Sequence, residues 1–476
     1  MPSGTVVQCF GPFELDPGSG RLFRGPTRVR LSDPQAAILL RLVAHAGQVV
    51  SKASLVEAGW GAVAVGDNSL DQAMSRLRKS LGQTAGGACY IETVPNRGYR
   101  FAASVERSVR VWADAAREDT LGPFRTFIQG RSDLDTLTRD AIHRARQAFA
   151  HVLHAEPDYA PAHVGLGFAC ALAFEASYVE TSCDRDALTL AVQHARQGAA
   201  LDPTSAEAWS VLAFALHLNG ERDNAAAAAW KAVALGPTEW RHQLRLAYVS
   251  WGGDRMSAAR TALTLCPGLA LAHWLMATVL IARGAFDAAL DVLREGCAAQ
   301  AAQGRPPGKV PALGLHLLRG LVCAAQDRLD DAARACEMEL SEADPDQVYA
   351  RECAANAWYA LGAAKLRQRR RQEAESAFAQ ALAIAPGHLS AAAALGRPLP
   401  VVSPNDPHCA DAAMAHAIRL ALAGRHPDAA VAFADALATL PSPAAGWILP
   451  VEPLLHTAAR ASIWADALAI VRHRAV

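Results

Sequence analysis

The sequence predicts a multidomain chain: a small α+β domain of winged helix-turn-helix type, then a long all-α solenoid. Three observations predict it. Residues 68–82, NSLDQAMSRLRKSLG, sort onto two opposed faces of a helix. Leu70, Met74, Leu77 and Leu81 form an apolar stripe, while Gln72, Ser75, Arg76 and Lys79 recur at i, i+3, i+4 and i+7 on the other side. Residues 90–101, YIETVPNRGYRF, read as two short strands around Pro95-Asn96-Arg97-Gly98, a tight hairpin with a cation at its tip. The remainder is alanine-rich text of helix, turn, helix, with LDP at 201–203 and LGP at 235–237, a spacing of 34 residues.

Composition agrees. The 476 residues are 51% hydrophobic and only 6% aromatic, a bias toward close-packed helices over β-sandwiches. Lys+Arg and Asp+Glu both number 46, so the chain is not a generally basic nucleic-acid binder. The distribution is uneven: residues 1–105 hold 11 Lys and Arg against 7 Asp and Glu, which puts positive charge where the two-faced helix lies. Ten scattered cysteines without a CxxC or a paired Cys/His spacing point to reduced thiols rather than a disulfide framework or a zinc site. No signal peptide and no run of ~18 apolar residues is evident, so no membrane partner and a cytoplasmic location are expected.

The N-terminal elements follow in order. Residues 7–30 carry β-prone pieces broken by Gly-Pro and Pro-Gly, predicting a small antiparallel sheet. Ser32 or Asp33 caps a first helix with Pro34 in its first turn, Ala36, Leu39, Leu40 and Val43 on its apolar face, and Gly47 as its stop. Ser51 caps a second, Lys52 to Gly59, with Leu55 and Val56 inward. A loop from Trp60 to Gly66 leads to Asp67, the cap of the third helix. The predicted order is four strands, three helices and a hairpin over 1–105, and residues 106–125 read as a linker.

FGPFELD, LSDPQAAILLRLVAHAGQVVSKASLVEAGW, NSLDQAMSRLRKSLG and YIETVPNRGYRF, in this order and at these separations, resemble the OmpR/PhoB-type winged-helix DNA-binding domain. The resemblance covers residues 5–104 and is nearest the branch of ToxR- and CadC-like regulators. It implies that the third helix enters the major groove and the wing touches the adjacent minor groove. Carried over by position, the DNA-facing set is Asn68, Ser69, Gln72, Ser75, Arg76 and Lys79, with Thr93 on the wing strand and Arg97 at its tip. Within it, Arg76 and Gln72 read as base contacts, and Lys79 and Arg97 as phosphate contacts. Arg78, on the helix flank, fits a structural ion pair as well as a DNA contact. Pro95 stands where many relatives carry a wing arginine, which leaves Arg97 to replace it; Ala73 and Ser75 stand where some carry basic residues. The loop before the third helix contacts RNA polymerase in some relatives, although Trp60 itself reads first as a packing residue. No receiver domain precedes the first strand near residue 6, so control by phosphorelay is not expected.

Beyond residue 125 the text resembles tetratricopeptide (TPR) repeats over 126–395, with 396–476 as helical hairpins that continue the array. In the clearest unit, 206–237, Ala206, Trp209, Leu212 and Ala213 face one way, Gly220 turns the chain, and Ala226, Ala229, Trp230, Val233 and Leu235 face back. Proline-rich breaks fall at Gly304–Pro311 and Gly396–Pro407. Trp209, Trp230, Trp240, Trp251, Trp274 and Trp358 read as repeat core rather than a ligand groove. Arg367–Arg371 reads as a solvated turn that stabilises helix C-termini rather than a second nucleic-acid site. His151, His154 and His163 lack a carboxylate or thiol partner that would make a metal site. There is no GxSxG, P-loop or dinucleotide motif, so neither an enzyme nor a cofactor is expected.

The expected function is a sequence-specific, DNA-binding transcriptional regulator on double-stranded promoter DNA in the nucleoid. The repeats would serve oligomerisation, an effector, or a protein or peptide partner. The arrangement resembles HilA-like regulators, which implies an activator rather than a repressor. The reading of another class is a TPR adaptor or chaperone that uses the winged helix for protein docking; the cationic helix face counts against it.

Overall fold

The computed structural model describes all residues except 1–4, 19, 26, 61–66, 84–86, 96, 111–117, 304–313, 345, 403–405, 407 and 441. The chain divides into two compact units, residues 1–129 with 151–157 and residues 130–150 with 158–476.

In the first unit, strands β1 (Thr5–Phe10), β2 (Phe13–Leu15), β3 (Leu22–Arg24) and β4 (Thr27–Val29) form an antiparallel meander. Helix α1 (Asp33–Ala44), strand β5 (Val49–Val50) and helices α2 (Lys52–Trp60) and α3 (Asp67–Leu81) follow, then β6 (Ile91–Val94), β7 (Gly98–Phe101) and β8 (Glu106–Arg110). The sheets run β4-β3-β2-β1-β8 and β5-β7-β6. The Gln35 side chain accepts from the Ser32 backbone N–H at 2.9 Å, which closes the start of α1 as the sequence leads one to expect. Phe10, Phe13, Tyr90 and Phe101 pack edge to face at the centre, with Phe10 and Phe101 centroids 4.9 Å apart.

The structure departs from two expectations and adds one strand. The buried face of α1 is Ile38, Leu39, Leu42 and Val43; Ala36 and Leu40 are only half-buried, because α1 must face α2 and α3 together and its apolar stripe is broad enough to turn. The two-residue strand β5 pairs with the wing, where the sequence offers too short a run to read. Residues 106–110 are not linker. They form β8, antiparallel to β1 from Thr5↔Arg110 to Cys9↔Glu106, since a polar strand can lie on a sheet edge.

The second unit is helical. Helices α4 (Glu118–Thr136) and α5 (Arg139–Ala155) each have residues in both units, and the second unit's hairpins begin with α6 (Ala160–Ala176) and α7 (Arg185–Leu201), α8 (Ala206–Leu218) and α9 (Arg222–Leu235), and α10 (Trp240–Val249) and α11 (Gly252–Leu265). Then come α12 (Ala270–Arg283) with α13 (Phe286–Gln303), α14 (Leu315–Ala325) with α15 (Leu329–Glu342), and α16 (Ala350–Arg367) with α17 (Arg371–Ile384). The last helices are α18 (Leu389–Ala394), α19 (Cys409–Leu422), α20 (His426–Thr439) and α21 (Ala465–Arg474). The sequence break at Gly304–Pro311 lies outside the described residues. Close approach is the packing rule: a Cβ at Gly362 of α16 would stand 2.7 Å from the Phe378 ring of α17. Early and late hairpins also meet. Val348 donates its N–H to the Leu137 carbonyl at 3.0 Å and Gly387 to that of Val179 at 3.2 Å, while the Tyr349 hydroxyl donates to the Glu175 carboxylate.

The alanine-rich helices misled the face assignment. In α9 the buried residues are Ala225, Ala228, Ala229 and Ala232, one step from the expected set, and Trp230 is 55% exposed. A helix of near-uniform alanine has no periodic contrast to read. Trp240 is buried, Trp209, Trp251, Trp274 and Trp358 are half-buried, and among the described residues Trp464 is the tryptophan with no exposure. Residues 442–464 do not continue the hairpins: turns and one 3-10 turn, Leu449–Val451, replace them. No helix among the described residues is long and apolar enough to cross a membrane.

Candidate nucleic-acid interface

The two faces of α3 separate as the spacing predicts. Leu70, Met74, Leu77 and Leu81 are all buried, joined by Ala73, which the sequence reading left out. Gln72, Ser75, Arg76 and Lys79 are exposed on the opposite side, and Ser69 is half-buried. Asn68 belongs to the first turn of α3, but its side chain lies outside the described ones.

The wing is the β6–β7 hairpin, in register Val94↔Gly98 and Thr93↔Tyr99, closed by the Arg97 N–H on the Val94 carbonyl at 3.1 Å. Gly98 sits at φ +135°, where a Cβ would fall 2.1 Å from the Val50 carbonyl oxygen. Only glycine lets β7 pair with β5 while it turns out of the tip. Arg97 is exposed at that tip. Glu92 and Arg100, opposite each other on the two strands, pair at 2.6 Å.

Residues that the sequence reading gave no fixed role hold helix and wing together. Arg78 donates from Nε to the Ile91 carbonyl at 3.0 Å and from Nη2 to the Thr93 hydroxyl at 2.8 Å, and its guanidinium lies 5.6 Å from the Tyr99 ring centroid. It is a brace, neither an ion pair nor a free cation. It ties Thr93 to α3, which brings those two parts of the expected set onto one framework. Two turns earlier on the same flank, the Tyr99 hydroxyl donates to Asp71 at 2.7 Å, and Lys52 of α2 lies 3.8 Å from the same carboxylate. Burial, then the Asp71 bond, push the Tyr99 hydroxyl up to about 12, so it stays a donor. Asp71 and Arg78 stand seven apart on α3, two turns along the same flank, so both reach Tyr99 of the wing.

Against that framework Gln72, Ser75, Arg76, Lys79 and Arg97 make no side-chain hydrogen bond or ion pair with the described residues. Their donors point outward, unspent. Trp60 packs against the domain core, while the loop after it lies outside the described residues.

The other basic run is arranged differently. Arg367 donates to the Ala324 carbonyl and to Asp327, both at 2.6 Å; Arg370 pairs with Glu373 at 2.5 Å and Arg371 with Glu375 at 2.9 Å. Among the described residues no group of three or more His, Cys, Asp or Glu could hold a metal ion.

Comparison with known proteins agrees with both halves. Residues 26–101 match the family described as "transcriptional regulatory protein, C terminal", and residues 355–388 match the tetratricopeptide repeat. The latter places Trp358, Leu361, Gly362, Ala374, Phe378 and Pro386 at the repeat's signature positions. The cholera toxin homolog transcriptional activator of Vibrio parahaemolyticus is 35% identical over 118 residues, 24% of this chain and 40% of that protein. The transcriptional regulator HilA of Salmonella typhimurium is 35% identical over 101 residues, 21% of this chain and 18% of that one. The crystal structure of the Klebsiella pneumoniae RstA DNA-binding domain with its RstA box is 36% identical, covering 20% of this chain and 96% of that one, with a TM-score of 0.18. This chain thus spans less than half the length of the curated relatives it matches first. It joins an N-terminal DNA-binding domain of the OmpR/PhoB-type transcriptional regulators to a tetratricopeptide-like helical region.

Proposed function

We propose that this chain is a sequence-specific transcriptional regulator that reads promoter DNA with α3 and the wing. One observation carries the reading: Arg76, Lys79 and Arg97 keep free, exposed cationic donors on a helix and hairpin that Arg78 and Asp71 lock together. Arg76 and Gln72 present the fork and amide that read base edges in the major groove; Lys79 and Arg97 grip phosphate; Ser75 and Ser69 add hydroxyl contacts, and Thr93 a hydroxyl at the wing. Asn68, at the start of α3, belongs to the same set. The helical repeats serve as the partner-binding or self-association module, and activation is the favoured direction because two of the matched relatives carry activator names. The reading places the chain on chromosomal DNA in the cytoplasm, with RNA polymerase as its second partner and no catalytic role.

The test is selection of genomic fragments by the purified protein at near-physiological salt. A short shared motif bound far above random DNA is the expected result. Uniform binding that vanishes with salt would leave only phosphate electrostatics and would sink sequence-specific regulation.

A further inference from the structure

The face shared by α12, α14 and α16 is covered by the chain itself. Between α20 and α21 the segment crosses the first helices of three successive hairpins. Trp447 meets Trp274 of α12 edge to face, with centroids 6.3 Å apart. Val451 is 1% exposed in the cluster built by Leu318 of α14 and Leu361 of α16. Glu452 is 4% exposed, yet its carboxylate accepts from the Tyr359 hydroxyl of α16 at 2.5 Å and from the Leu454 N–H at 3.1 Å.

Three features make this segment resemble a docked peptide rather than another repeat. It has no long helix, and among the described residues the backbone of 446–455 bonds within the segment: Leu449 to Gly446, Val451 to Ile448, and the Leu449 carbonyl to Thr457 Oγ1 at 3.2 Å. Side-chain anchors, not backbone bonds, attach it to α12, α14 and α16, as expected for a ligand in a groove. It also lies on the first helices of the repeats, and stacked repeats use such an extended surface for binding.

We propose that the α12–α14–α16 face is a peptide-binding groove whose resident ligand is residues 447–455, and that it accepts a partner peptide of the same chemistry: large apolar anchors on both sides of one buried carboxylate. The proposal rests on the reading of the repeats as a partner-binding module. The tethered segment competes at an effective concentration on the order of millimolar, so an outside peptide binds well only when the resident is weakened.

The probe is a labelled synthetic peptide, GWILPVEPLLH, copied from residues 446–456. Added to the full chain carrying Trp447→Ala and Val451→Ala, it should bind at least ~10-fold more tightly than to the unaltered chain, and a peptide with Ala for Glu452 should lose that gain. A doubly substituted chain with native helical circular dichroism and no peptide binding overturns the proposal. Should those substitutions prevent folding, hydrogen exchange on the unaltered chain decides. Residues 447–455 opening while α12, α14 and α16 stay protected supports a displaceable ligand; exchange only in step with those helices makes the segment ordinary core and overturns it. Motif selection by the unaltered chain reads out the regulator function separately, so either idea can fail alone.

Discussion

Two basic clusters in this chain look alike as sequence and differ as structure. Arg76, Lys79 and Arg97 lie in the N-terminal domain; Arg367, Arg370 and Arg371 lie at the α16–α17 turn. The second group spends its donors on Ala324, Asp327, Glu373 and Glu375, while the first has none spent. Charge density does not mark an interface. A better mark of a candidate interface is a set of donors that the fold holds in place and leaves unpaired, because each unpaired donor can form its charge-assisted bond to an outside acceptor.

The largest expected effect comes from the scaffold that holds the free donors. Gly98→Ala forces a Cβ against the Val50 carbonyl oxygen at positive φ. It should destabilise the N-terminal domain by about 3 kcal/mol or more, read as a lower Tm of a fragment spanning residues 1–110. An unchanged Tm would mean that the β5–β7 pairing tolerates movement.

Next is the base-contact assignment. Arg76→Ala should weaken cognate binding by about 1–3 kcal/mol and spare random DNA, whereas Arg371→Ala should leave both affinities alone and cost under ~1 kcal/mol of stability. Equal losses on cognate and random DNA would move Arg76 to the phosphate class. A binding loss from Arg371→Ala would break the comparison outright. Lys79→Ala should lower affinity on all sequences alike and reduce the salt slope by about 1, visible in titrations at several salt concentrations.

The subtlest effect concerns the repeats, where charge is buried. Burial raises the Glu452 carboxyl from its ordinary 4.5 to about 7, so the folded chain favours the neutral acid. Its contribution to stability is complete below about 4.5 and is lost as pH rises through about 7. Tyr359 donates to it, and the His388 ring packs tilted against Tyr359 with centroids 5.2 Å apart; burial depresses that imidazole to about 4, so it stays neutral through the window. Glu452→Gln should flatten the fall in Tm between about pH 4.5 and pH 7 relative to the parent. An identical fall in both chains would assign it to other groups.

Much of the DNA-binding domain was legible because α3 and the hairpin write their burial into strong periodic contrast: Leu against Arg, Lys and Gln at helical spacing. Legibility failed where contrast was missing or where the partner lay far along the chain. The α9 face drifted by one residue because nearly every candidate was alanine. Val49–Val50 is too short to read as a strand, and Trp464 takes its burial from helices tens of residues away. Arg78 shows the same limit within the site: its charge is plain in the sequence, but its role depends on where Ile91 and Thr93 come to rest. Ser69, placed with the DNA-facing set, is half-buried beside the buried Leu70.

Strand β8 bears on how the N-terminal domain can be cut out for study. The five backbone pairs from Thr5↔Arg110 to Cys9↔Glu106 place β1 inside the sheet. A fragment ended at residue 105 strips that neighbour away and turns β1, with its Val6, Val7 and Phe10, into a bare rim open to edge-to-edge aggregation. Cloning through Arg110 keeps the rim dressed. Material that precipitates after the shorter cut would be reporting an artificial boundary, not an unstable domain.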